Sequence, residues 1–339
     1  MNTGVGSWAT GLQVEEWSKE LYHDVNKSQF WSKFTGTGSN NVVQVKNELN
    51  AKKGDTIHFG LRARLSGDGV ENDDTLEGNE ENMPVYDFSV GVSQLRNAVR
   101  SDGQEFEGKY LYPFRVEALD ALKVWLAEVK DEYFFKALAL SPTNFIGANG
   151  GATVAAAKAE LTTATLMTPA LISKAKARAK LPTGDHSRIR PVRVEGKAYY
   201  MMIVSPEQAY DLKRNAEWLQ AQREAGPRGS TNPIFTDAMG EFDGVLLYEH
   251  EDVTTTDDGG GAAVHTVMAS LVGAQALVMA NNRQTIWKEK TFDYGNELGI
   301  SGGFMMNRYD SSASGGNLKA IFNSVDFAHI AVYTAATDL

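Results

Sequence analysis

Two segments of the chain alternate apolar and polar residues with a period of two. From Thr56 to Leu65, Ile57, Phe59, Leu61, Ala63 and Leu65 share one face while His58, Arg62 and Arg64 share the other. From Val85 to Ser93, Tyr86, Phe88, Val90 and Val92 repeat the pattern, so the two segments read as half-buried strands. The segment between them, Ser66 to Met83, carries Asp68, Glu71, Asp73, Asp74, Glu77, Glu80 and Glu81 with no lysine or arginine. It reads as a loop that is solvated or paired with a basic partner. Strands and loop together predict an extended hairpin. A two-stranded hairpin alone is marginal in water, so its apolar face needs a sheet, a helix or another subunit as cover.

Beyond Pro113 the period changes to that of a helix. Val116, Leu119, Leu122, Leu126, Val129, Tyr133, Ala137 and Leu140 follow one another at threes and fours, and Ser141-Pro142 closes a helix about 40 Å long at 1.5 Å per residue. A shorter basic helix is predicted from Pro169 to Lys180, ended by Pro182-Thr183-Gly184. Tyr199 to Val204 reads as a strand, and Ser205-Pro206-Glu207 as the cap and first turn of a helix through Arg223. Gly244 to Tyr248 predicts a short buried strand, Thr254 to Gly261 a surface loop, and the alternation from Phe322 to Thr334 a final strand. Before the hairpin, Val14, Trp17, Leu21 and Val25 stand at helical spacing. Phe30, Trp31 and Phe34 follow, outside any long predicted element, and read as an arm whose aromatics dock onto something or form a local core. No internal repeat is visible.

Composition narrows the class. The 339 residues have the apolar fraction of a globular protein, and the absence of cysteine excludes disulfides, thiolate metal sites and cysteine nucleophiles. No uninterrupted apolar run approaches the ~20 residues of a membrane span, and the first residues lack the pattern of a secretion signal. A net charge of -10 argues against wrapping nucleic acid with the general surface, because that binding is driven by lysine and arginine releasing counterions. The basic clusters Lys174, Lys176, Arg178, Lys180 and Arg188, Arg190, Arg193 lack interleaved aromatics and read as solvated or subunit-contact faces.

Candidate chemistry is sparse. The acidic loop does not reproduce the alternating ligands, central glycine and terminal glutamate of a calcium loop. Glu249-His250-Glu251-Asp252 places ligand types on opposite faces of a strand end. Gly259-Gly260-Gly261 lacks the lysine and threonine of a phosphate loop. There is no Gly-x-Ser-x-Gly elbow to set a base beside a nucleophile. No catalytic residue, cofactor or metal is expected.

In order along the chain these pieces resemble the HK97-like fold of tailed-phage major capsid proteins. Several stretches are similar to the capsid family of short-tailed phages that carry an RNA polymerase in the virion: Thr75-Leu76-Glu77-Gly78-Asn79-Glu80-Glu81, Leu271-Val272-Gly273-Ala274-Gln275-Ala276-Leu277, Phe292-Asp293-Tyr294-Gly295-Asn296, and Phe322-Asn323-Ser324-Val325-Asp326-Phe327. The resemblance implies an α+β chain with an arm over residues 1–50 and an extended hairpin loop over 51–105. A peripheral domain with a spine helix follows over 106–187, then an axial domain over 188–284 and a return to the peripheral domain over 285–339. It implies self-assembly as hexamers and pentamers around double-stranded DNA that is not bound sequence-specifically. A portal protein, a possible decoration protein and, for want of a long N-terminal helical segment, a separate scaffolding protein are the implied partners, without a membrane. Assembly in a host cytoplasm and residence in the virion follow. The expected subunit contacts are Trp17, Phe30, Trp31, Phe59, Leu61, Arg62, Arg64, Glu77, Glu80, Glu81, Tyr86 and Phe88. Two other classes would share the pattern: a virion enzyme or binding protein with the hairpin as a lid, and a cellular shell that encloses cargo.

Overall fold

A computed structural model describes residues 29–47, 56–62, 65, 67, 69–83, 85–109, 113–181, 187–194, 196–224, 238–261 and 264–337. The hairpin strands are Thr56–Arg62 and Val85–Gly91, antiparallel with Phe59 opposite Phe88 and Leu61 opposite Tyr86. The chain then continues as Ser93–Arg100, an edge strand of a five-stranded sheet. Across that sheet lie Glu297–Met306, Leu277–Phe292, Val43–Lys46 and Thr35–Gly36. The two longest of these, Leu277–Phe292 and Glu297–Met306, form an antiparallel ribbon.

The spine helix, Phe114–Ala139, lies on this sheet. Its first turns place Ala118 and Leu122 on Ile300, its middle sets Leu126 on Phe304 and Met306, and its last turns carry Phe134, Phe135, Ala137 and Leu138 into the main core. Val116, expected on the buried stripe, is exposed; a straight helix on a twisted sheet leaves the sheet at its ends, and Val116 lies in the first turn. The helix stops where Ser141 takes a left-handed φ of 41° ahead of Pro142, a conformation that cannot continue the α-helical ladder.

An eight-stranded mixed sheet forms the second layer. Its main path runs Phe145–Gly147, His329–Ala335, Val264–Val272, Lys197–Val204, Val245–Glu249 and Gly240–Phe242. His329–Ala335 is buried at every residue and Tyr199–Val204 likewise, as central strands covered on both faces are. The helix Pro169–Lys180 starts with proline in its first turn. Ser205 and Gln208 form a reciprocal capping box at the start of Pro206–Arg214.

Three expectations are corrected here. The helix expected to run to Arg223 breaks at Asn215, whose side chain accepts the N–H of Glu217 at 3.0 Å and so caps a separate helix, Ala216–Glu224. The expected loop from Thr254 to Gly261 contains a strand, Thr255–Gly259, on the edge of Val264–Val272 with a bulge; its two aspartates face solvent, which hides the strand from a propensity reading. The single strand expected from Phe322 to Thr334 is divided into three. Residues 321–326 make a small ribbon of Ile321–Phe322 and Val325–Asp326, and the final strand pairs along Val264–Val272 in the eight-stranded sheet.

Candidate assembly surfaces

The hairpin divides into a base and a tip. At the base, Ile57, Phe59 and Val90 are buried against Val278 and Ala280 of the long ribbon. Phe59 stacks on Phe88 with ring centroids 5.0 Å apart, and Phe88 meets Phe322 edge-on at 5.0 Å. Phe59 and Phe88, expected to reach another subunit, are therefore covered largely by their own chain. The cover comes from residues 190 or more positions away, which periodicity cannot locate.

Toward the tip the cover ends. Leu61 and Tyr86 are half-buried and Arg62 is exposed. Leu65, Leu76, Met83 and Val85 are all more than half exposed. Between them lies the acidic loop, whose Glu71, Asp73, Asp74, Glu77, Glu80 and Glu81 are all exposed. The loop has internal order: Glu81 accepts the N–H of Gly67 at 2.7 Å and Glu80 that of Gly78 at 2.8 Å. Exposed apolar side chains thus stand beside exposed carboxylates at the tip. Arg64 and Trp17 lie outside the described residues.

The arm aromatics are placed otherwise than expected. Phe30–Phe34 is a short 3-10 helix, and Phe30, Trp31 and Phe34 are all buried in the main core. Trp31 packs on Phe134 and Phe135 of the spine helix. Asp131 of the same helix accepts the N–H of Phe30 at 2.6 Å and of Trp31 at 3.3 Å, satisfying donors that a helix N-terminus leaves unpaired. Burial outweighs these bonds and pushes the Asp131 carboxyl up to about 6. Phe30 and Trp31 thus anchor the arm to its own chain. Their core role depends on residues a hundred positions on.

His250, expected at a solvated strand end, also belongs to this cluster. Its ring stacks on Phe135 at 4.6 Å and meets Phe30 at 4.8 Å, and its Nδ1 accepts the N–H of Asp252 at 3.1 Å. The basic clusters are partly engaged within the chain. Lys176 pairs with Asp243, Arg178 donates to Asn144, and Arg190 donates to Ser39 and Gln275.

One arrangement resembles a catalytic triad. Ser270 Oγ lies 3.2 Å from His329 Nε2, and His329 Nδ1 lies 3.6 Å from Asp326. The second distance is too long for a hydrogen bond. Lys319 Nζ sits 2.9 Å from Asp326 and donates to the carbonyl of Leu140 at 2.9 Å. Thr143 completes the group, donating its N–H to Asp326 and accepting that of Asp326 on its hydroxyl. All four of Ser270, Lys319, Asp326 and His329 are buried. Burial lowers Lys319 and His329 from their usual ranges; for Asp326 the cost of burial is outweighed by His329 and Lys319, which hold it low. Buried in this way, the set works as a polar staple joining the end of the spine helix to the last strand. Among the described residues no group of three or more histidine or carboxylate side chains could hold a metal ion, and no helix is long and apolar enough to cross a membrane.

An exposed aromatic stands at the far end of the long ribbon. Tyr294 is fully exposed and takes a left-handed φ of 48° directly after Asp293 at 45°. The sequence signal was present in Phe292-Asp293-Tyr294-Gly295-Asn296, an aromatic inside a turn.

The comparisons decide the class. The family described as phage capsid protein matches residues 2–142 and 141–338 of the chain. The chain belongs to the phage capsid protein family. This capsid protein is 28% identical over 372 residues to the major capsid protein of Pseudomonas phage KPP25, covering 96% of each. Its fold matches the capsid of Ralstonia phage GP4 with a TM-score of 0.80 at 28% identity, over 100% of this chain and 99% of that one. It matches the cyanophage Pam1 capsid with a TM-score of 0.84 at 19% identity, over 98% and 99%. The capsid protein therefore has the α+β, HK97-like fold expected from the order of its elements, and it is a structural subunit of a phage head.

Proposed function

We propose that this capsid protein tiles an icosahedral head as hexamers and pentamers enclosing double-stranded DNA, with the hairpin tip as the element that overlaps an adjacent copy. The observation that carries this is the split along the hairpin: a base covered by its own chain and a tip that leaves Leu65, Leu76, Met83 and Val85 exposed beside the acidic loop. Apolar burial contributes roughly 25 cal/mol per Å², so modest contacts repeated around every subunit hold a shell without covalent bonds. In this reading Leu61, Arg62, Tyr86, Glu77, Glu80 and Glu81 line the contact, and the carboxylates meet basic side chains of the neighbour.

The net charge of -10 supports a wall that confines DNA without adhering to it. The partners implied are a separate scaffolding protein and a portal protein, with synthesis in the host cytoplasm. The test is expression of the chain with and without residues 67–83 replaced by an Asn-Gly turn, read by electron microscopy and sedimentation. Shells from the intact chain and their loss from the shortened one are expected; equal yield and stability of shells from both would overturn the overlapping tip.

A further inference from the structure

The strand pairing of the hairpin stops at Gly91, ahead of the five-stranded sheet. Up to that residue the return strand pairs with Thr56–Arg62 alone, and from Ser93 onward the chain is bonded into the five-stranded sheet. Gly91 is the pivot between the two. Its peptide is gripped on both sides by one side chain: Asn317 Nδ2 donates to the Gly91 carbonyl at 2.6 Å, and Asn317 Oδ1 accepts the Gly91 N–H at 2.9 Å. A primary amide here presents to an open strand edge the donor and acceptor that a third strand would supply.

Asn317 is itself held in place. It ends a left-handed run of Gly315, Gly316 and Asn317 with φ of 58°, 63° and 62°, a conformation that glycine adopts freely and asparagine best among other residues. Its carbonyl accepts Asn307 Nδ2 at 2.8 Å, and the buried Asn307 in turn bonds Val278 and Ala280 of the long ribbon. The same loop touches the end of the spine helix. A Cβ on Gly316 would lie 3.3 Å from Ala137 Cα and 2.9 Å from the Tyr309 ring, and Lys319 donates to Leu140 at 2.9 Å.

We infer that Asn317 is a positioning residue that fixes the angle of the hairpin at Gly91 and couples that angle to the last turn of the spine helix. Its consequence for shell assembly rests on the capsid reading above, whereas the clamp itself does not. One loop holds both ends of the coupling, so a shift of the helix terminus reaches the pivot through Gly316 and Asn317 without passing through either sheet.

The test is hydrogen exchange on the full-length chain below its assembling concentration. Asn317→Gly keeps the left-handed backbone and removes the clamp; about tenfold faster exchange is expected at the Gly91 amide and along residues 56–62 and 85–91, with Val264–Val272 unchanged. Asn317→Asp keeps the acceptor and loses the donor, so an intermediate rate is expected; it also serves as the comparison should the glycine variant misfold. Gly316→Ala, which presses on the Tyr309 ring and on Ala137 with the amide intact, is expected to speed the same amides. Wild-type rates in Asn317→Gly overturn the clamp, and wild-type rates in Gly316→Ala overturn the coupling. Assembly is read separately by electron microscopy. A loosened hairpin with shells of normal yield leaves the clamp standing and removes the overlapping tip, while lost shells with unchanged exchange remove the clamp alone.

Discussion

The Asp131 carboxylate, on the spine helix, accepts the backbone N–H of Phe30 at 2.6 Å across 101 positions of chain and that of Trp31 at 3.3 Å. One side chain thus ties the arm to the helix along which the five-stranded sheet packs. Asp131→Ala would leave both donors buried and unpaired, and a loss of about 2–4 kcal/mol in unfolding free energy is expected, read by denaturant titration at neutral pH.

The same residue sets a pH dependence. Its folded value, about 6, lies above the ordinary carboxyl value near 3.9 of an unfolded chain. The native state therefore holds this proton more tightly, and the contribution of Asp131 to stability is greatest below about pH 4 and declines as the pH rises through about 6. Asp131→Asn should remove that slope. A difference in melting temperature between the two proteins that stays constant from pH 4 to 7 would contradict it.

The base and tip of the hairpin are expected to respond differently. Phe59→Ala opens a cavity against Val278 and Ala280 and should cost about 3 kcal/mol in the isolated chain. Leu76→Ser and Met83→Ser, at exposed positions, should leave the melting temperature within about 1 kcal/mol equivalent of wild type while lowering particle yield. Calorimetry and particle counts on the same preparations separate the two effects.

The buried staple should be costly to halve. Lys319→Met leaves Asp326 charged beside His329 in the core, for which about 3–5 kcal/mol is expected. Adding Asp326→Asn should recover part of the loss, a positive coupling in a double-mutant cycle. Strict additivity would mean that the 2.9 Å contact contributes nothing.

His265 bridges two elements, with Nδ1 2.7 Å from Asp257 and Nε2 3.0 Å from Glu207 in the first turn of Pro206–Arg214. The hydrogen bond to Asp257, with Glu207 behind it, raises its pKa. Its stabilisation is therefore present in full below the unfolded value near 6.5 and is lost as the pH rises through the folded value. An NMR titration should place the folded midpoint above 6.5, and His265→Gln should abolish the corresponding part of the stability profile.

What was legible in the sequence was local. The period of two at Ile57, Phe59, Tyr86 and Phe88 and the threes and fours from Leu119 to Ala137 specify strand and helix through neighbouring residues alone, and the order of those elements carried the family resemblance. The proline starts at Pro169 and Pro206 were equally direct, because a first-turn proline acts through its own ring. Tertiary structure decided which faces were spoken for. Phe30 and Trp31 became core because Phe134, Phe135 and Asp131 arrive beside them, and Phe59 and Phe88 pack on Val278, Ala280 and Phe322 of their own chain. The final strand joined the eight-stranded sheet because Val264–Val272 offered an open ladder beside it. Each of these is a pairing between distant segments, and burial and hydrogen bonding across such distances depend on the path of the whole chain, which no window of adjacent residues contains.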